Sequence, residues 1–123
     1  MMATCAVALG GLLGTVARHW LNTAIQARAM TPFPLGILVV NALGCFAVGF
    51  IAALVSARGG RTELALFLTT GLCGGFTTMS AFGLDTVVLY QQGQGRLAAL
   101  NVAVTIAACL VAVMVGLRAG APD

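Results

Sequence analysis

Six polar side chains sit inside long apolar runs of this sequence: Asn41, Thr77, Thr78, Ser80, Asn101 and Thr105. All are uncharged, and all can donate hydrogen bonds. Hydroxyls and amides can hold an anion without the expense of a buried cation. Phe46, Phe76 and Phe82 add ring edges, the positive end of the aromatic quadrupole. The set suits a small, hard, strongly hydrogen-bonding anion. It does not suit proton-coupled cation export, which needs a buried carboxylate. Asp85, about two turns after Thr78, is the one acid inside such a run. A charge at mid-membrane depth costs about 2.5–3.5 kcal/mol, so Asp85 is expected near the end of its segment, facing water or an Arg. Arg18 is expected either to draw anions into a vestibule or to anchor its segment at the interface. His19 beside it reads as interfacial.

Other chemistry is poorly served. Ser80 has no nearby His in sequence, and there is no Gly-x-Ser-x-Gly or phosphate loop. No nucleophile, base and orienting group stand together, so the chain is not expected to be an enzyme. Cys5, Cys45, Cys73 and Cys109 lie far apart, without CxxC or Cys/His spacing. A metal site built from them is not expected; they read as small apolar packing residues, with a lesser alternative that one lines a polar path.

The elements that position these groups follow from composition. The 123 residues are 60% hydrophobic and 7% charged, against about 25% charged in ordinary soluble domains. The six basic residues are all Arg; Glu63, Asp85 and Asp123 are the acids. This excludes a disordered chain and a basic nucleic-acid binder, and it points to an integral membrane protein. With about 20 apolar residues per crossing, the length accommodates four spans in one small all-α membrane domain covering 1–123. The N-terminal run lacks a positive n-region and reads as the first span rather than a signal peptide.

Segment 1 is expected from about Ala3 to Ala24, with Gly10 and Gly14 as a close-packing GxxxG pair. Pro32 and Pro34 mark the break before segment 2, about Leu35 to Ala57, where Gly44 and Gly49 offer further close-packing points. Segment 3, about Glu63 to Gln91, is long for one span. Its centre, Gly74-Gly75-Phe76-Thr77-Thr78, is a poor helix, and a break near 74–78 is expected. Broken backbone at depth must be buried in protein or line a cavity, and freed carbonyls there can hold a small cation; a glycine-packed kink is the plainer alternative. Segment 4 is expected from about Arg96 to Leu117. Its Asn101, Thr105 and Cys109 share a face that meets a partner helix or a polar pathway.

Four crossings place Arg58, Arg61 and Arg118 on one side, and Arg28, Arg96 and a snorkelling Arg18 on the other. Charge therefore gives almost no orientation signal. Dual topology is expected, the alternative being an orientation fixed by a single Arg.

At these residues the sequence resembles the Fluc (CrcB) family of small fluoride channels. The matching features are Gly10-Gly11 with Gly14, Ala17 and Arg18; Pro34-Leu35-Gly36 through Asn41, Gly44 and Phe46; and Thr69-Thr70-Gly71 through Gly74-Gly75, Thr77-Thr78, Ser80 and Phe82. They occur in order across all four segments. The resemblance implies an antiparallel dual-topology homodimer in a bacterial inner membrane, with two fluoride pores. It implies a structural Na⁺ at the dimer centre, held by backbone carbonyls of Gly74 and Thr77 from both chains. It places Asn41, Met79, Ser80, Phe82, Thr105 and Arg18 on the fluoride pathway, and Asp85 at an acidic position. Met79 stands where a first pore Phe is usual, Ile37 and Ala81 replace hydroxyl residues, and Cys109 replaces a Ser, so the path is less polar than the family's. The implied mechanism is passive. Fluoride enters acid-exposed cells as HF, is trapped as the anion, and leaves down a membrane potential worth about 2.3 kcal/mol per charge per 100 mV.

Two other readings compete. A small multidrug-type exporter is also four short spans, but its first span carries a Glu, and segment 1 has no acid. A structural or assembly membrane protein would use the glycine-rich faces for packing alone.

Overall fold

The computed structural model describes residues 1–57, 59–60 and 62–121. Arg58, Arg61 and Asp123, which enter the charge reading above, lie outside them. The described chain is helical: α1 (Met2–Gln26), α2 (Leu35–Ala57), α3 (Glu63–Leu66), a π-helical stretch (Phe67–Cys73), α4 (Gly74–Phe76), α5 (Met79–Gln91) and α6 (Gly95–Gly120). The elements from α3 to α5 form one long rod, so there are four rods in all.

Three of the rods are long and apolar enough to cross a membrane: Leu35–Ala57, Glu63–Gln91 and Gly95–Gly120. The protein is thus a multi-pass membrane protein. The expected first span is the exception. α1 has 25 residues, enough for a crossing, but its glycines and the polar run from Arg18 through Asn22 to Gln26 dilute its apolar character, and it is not among the three.

Turns between the rods are closed by side chains and glycine. Arg28 Nη1 donates to Ala24 O at 2.8 Å, capping the last turn of α1. The Gln26 amide then spans the Pro-rich loop: Nε2 donates to Phe33 O at 3.3 Å, and Oε1 accepts from Gly36 N at 3.2 Å. Thr62 Oγ1 accepts from Ala65 N at 3.1 Å and starts α3. Gly93, at φ 78°, ends α5, with Gln94 N donating back to Leu89 O at 2.9 Å.

Small residues bring the rods together. α1 lies against the π-helical stretch and α4, and α2 against α6. A Cβ on Gly14 would lie 2.8 Å from Phe76 N, and one on Gly10 2.8 Å from Leu72 N. Both glycines of the GxxxG pair therefore serve backbone-to-backbone approach. Across the other pair, a Cβ on Gly49 would meet Val113 O at 2.5 Å and one on Gly116 would meet Phe50 N at 2.9 Å.

The third rod departs from regular helix in two places. The π-helical stretch is one, with Thr69 Oγ1 bonding back to Ala65 O at 2.8 Å. The other is Thr77–Thr78, where the backbone becomes extended (ψ 157° and 115°) before α5 resumes. Gly74 and Gly75 themselves are helical. Gly75 serves contact rather than chain reversal: a Cβ there would lie 2.5 Å from Gly11 O.

Extended residues inside a packed rod must find new hydrogen bonds. Thr77 N and Oγ1 both donate to Cys73 O, at 3.0 and 3.1 Å. Thr15 Oγ1 on α1 donates to Gly75 O at 3.3 Å. Thr78 is held from α2: its N–H donates to Asn41 Oδ1 at 2.7 Å, and its carbonyl accepts from Asn41 Nδ2 at 3.1 Å. Thr78 Oγ1 accepts from Ala81 N at 3.2 Å and so caps α5. One amide side chain thereby satisfies both backbone groups of a residue that has left the helix.

Two outcomes follow. Asn41→Ala strands both Thr78 backbone groups, at about 1–3 kcal/mol each; amide exchange at Thr78 will accelerate and the detergent melting temperature will fall. Gly14→Leu drives a side chain into the backbone of the third rod, costing about 1–3 kcal/mol or more. Gly83→Ala, where a Cβ meets nothing within 4 Å, will leave the melt unchanged.

Candidate functional site

The break opens onto a groove of about 420 Å³ whose lining includes Asn41, Gly74, Thr77, Thr78, Met79, Phe82 and Thr105. These come from α2, the third rod and α6. Of the residues singled out in the sequence, Asn41, Thr105 and Phe82 are buried, at 7%, 5% and 6% exposure. Met79 lines the groove yet is 75% exposed. Gly74 is exposed and Thr77 half-buried. Ser80 is exposed, with its Oγ 3.1 Å from Thr78 Oγ1. Arg18, half-buried on α1, is not among the residues lining the groove.

Asp85 does not join the groove either. It lines a second hollow of about 340 Å³ together with Asn22, Gln26 and Gln92. This polar hollow lies at the end of the molecule where the Pro-rich loop meets the last turns of α5.

The polar stripe of α6 meets a partner helix. Thr105 Oγ1 donates to Asn101 Oδ1 at 3.2 Å, Asn101 Nδ2 donates to Thr86 Oγ1 at 2.8 Å, and Thr86 Oγ1 donates to Phe82 O at 2.7 Å. Asn101 is 1% exposed, and this row satisfies it. Thr86 was not singled out in the sequence. The signal for it is its place on α5, one turn after Phe82, where its hydroxyl reaches back to that residue's carbonyl.

The hydrogen bonds decide which donors remain for a guest in the groove. The hydroxyl protons of Thr77 and Thr105 are committed to Cys73 O and Asn101 Oδ1. Asn41 spends one of its two N–H bonds on Thr78 O and keeps the other. Thr78 Oγ1 already accepts from Ala81 N. Its 3.1 Å contact with Ser80 Oγ reaches a residue that is exposed and, like Arg18, not among those lining the groove. The break also frees acceptors. Thr78 N–H, the ordinary helical partner of Gly74 O, is given to Asn41. The site therefore carries a few uncharged donors and backbone carbonyls in an otherwise apolar wall.

The comparisons with known proteins agree with one another. The family model described as "CrcB-like protein, Camphor Resistance (CrcB)" matches residues 5–117. A "Fluoride-specific ion channel FluC" of Paracoccus denitrificans is 50% identical over 115 residues, covering 93% of this chain and 90% of its own. Proteins of the same name from Ruminiclostridium cellulolyticum and Cereibacter sphaeroides are 38% identical over 117 residues and 42% over 113, covering 94% and 92% of this chain and 90% of each relative. A match running from α1 to the end of α6 takes in every rod and both sides of the groove: the chain belongs to the CrcB family.

Proposed function

We propose that this protein is a fluoride-selective channel that lets fluoride leave the cytoplasm passively and so lowers its internal concentration. The observation that carries this reading is the groove at the Thr77–Thr78 break, whose polar side chains are an amide, hydroxyls and thiols rather than charges. The relatives' name supplies the ion. Fluoride is small and strongly hydrated, so it needs close donors to replace water. The second N–H of Asn41 serves that role from the groove wall, the Ser80 hydroxyl from beside Thr78, and Phe82 lines the same groove. Met79 lines the groove, and its flexible thioether leaves room for an ion to pass. Thr105 acts through Asn101, holding the α6 wall in place. Arg18, away from the groove, contributes only a long-range attraction for anions.

The same reading includes a fourth crossing by α1, insertion in both orientations, and an antiparallel homodimer in a bacterial inner membrane. Support comes from the balanced Arg count and from the exposed apolar side chains of Met79, Ile106 and Leu110 flanking the groove. A second copy seated on this surface would close the open side of the groove. Gly74 and Thr77 fit a structural Na⁺ at such a dimer centre, because carbonyl oxygens suit a hard cation and Gly74 O has lost its helical partner. Bound there, the ion would supply positive charge that neighbouring side chains lack.

Liposomes carrying the purified protein will release fluoride rapidly once valinomycin dissipates the opposing potential, and will retain chloride. Asn41→Asp will abolish release, since a carboxylate repels the anion. Ser80→Ala will slow release about tenfold or more, the worth of one hydrogen bond to a charged partner, about 1.5–3 kcal/mol. Retention of fluoride by folded protein would favour a packing role for the glycine-rich faces. Exchange of sodium for N-methylglucamine will lower the dimer's melting temperature if Gly74 and Thr77 hold the cation.

A further inference from the structure

Three cysteines separated by tens of residues line the same groove: Cys45 on α2, Cys73 in the π-helical stretch and Cys109 on α6. All are free thiols. Cys45 and Cys109 stand on the two helices that pack against each other along this groove, and Cys73 comes from the third rod. The placement is rigid. Cys45 is one turn before Gly49, and Cys109 is two turns before Gly116, so each sits on the face that its helix presses against the other. Those glycines bring α2 and α6 to backbone contact. Neither thiol takes part in the donor arrangement at Asn41 and Ser80.

We propose that Cys45 and Cys109 form a two-sulfur site for a soft d¹⁰ cation that accepts two thiolates in line, with the mercuric ion as the diagnostic member of that class. Thiolates select soft metals. Among the described residues, no group of three or more His, Cys, Asp and Glu side chains could hold a metal ion. That excludes four-coordinate zinc there and leaves the two-sulfur geometry. Each thiol gives up its proton, two S–Hg bonds form, and two protons pass to solvent. The product RS–Hg–SR has no net charge, which an apolar groove tolerates far better than an ion. No oxidant is involved.

The full-length protein in detergent is exposed to one equivalent of mercuric chloride, passed over a desalting column with excess free cysteine as competitor, and weighed intact by mass spectrometry. The expected adduct is one mercury with loss of two protons per chain. Chains bearing RS–Hg–Cl, with one proton lost and chloride kept, would overturn the proposal. Cys45→Ser and Cys109→Ser will each lower mercury retention about tenfold or more, while Cys5→Ser will not. Equal retention in Cys109→Ser would also overturn it. Should either serine variant fail to fold, the alanine variant at that position takes its place, and Cys73→Ser, which keeps the expected adduct, separates this pair from one that uses Cys73.

Discussion

The architecture around the groove depends on one side chain meeting the backbone of one residue. Thr78 has left the helix, and in an apolar interior its N–H and C=O have no water to turn to. Asn41, reaching across from α2, accepts from the first at 2.7 Å and donates to the second at 3.1 Å. An amide is the side chain suited to this, since it carries both a donor and an acceptor at peptide-like spacing. Once the break is held, Thr78 Oγ1 is placed to cap α5, Gly74 O loses its helical partner, and Ser80 is turned toward the Thr78 hydroxyl. The same device recurs at the loop before α2, where the Gln26 amide joins Phe33 O to Gly36 N. Amides thus stand in for missing main-chain partners wherever the backbone leaves regular helix.

A break of this kind needs a stiff frame. Here glycine supplies it twice, at the α1 contact with the third rod and at the α2–α6 contact. With no cavity of water to drive association inside a bilayer, close van der Waals approach and hydrogen bonds between rods hold the bundle. Thr15 to Gly75 and Asn101 to Thr86 are the polar counterparts of those glycine contacts.

The four rods were legible because long apolar runs between Pro, Gly and Arg turns admit only one kind of element. The role of Gly10 and Gly14 was legible for the same reason: their spacing has a single geometric meaning. The apolar character of α1 was overestimated, since a helix that ends in Arg18, His19, Asn22 and Gln26 is amphiphilic along its length. The π-helical stretch was hidden, because Thr69-Thr70-Gly71 weakens the helix without specifying a π register; the stretch packs on α1. Within the break expected near 74–78, it is Thr77 and Thr78 that leave the helix, while Gly74 and Gly75 stay helical and Gly75 packs on α1. Asn41 was picked out as a donor to an anion, but its main bonds are to Thr78, a partner 37 residues away that no periodicity reveals. The meeting of Cys45, Cys73 and Cys109 was equally invisible, since each lies on a different rod.

The row from Thr105 through Asn101 and Thr86 to Phe82 O also bears on leakage. Hydroxyls lined up through a bilayer can form a wire along which protons hop, and a cell that stores energy as a proton gradient cannot tolerate one. Hopping requires every link to accept a proton on one side and release one on the other. An amide in the middle of the row does not do so readily, and a backbone carbonyl at its end is a dead stop. The row braces two helices while staying insulating, so polarity can be placed inside this protein without short-circuiting the membrane around it.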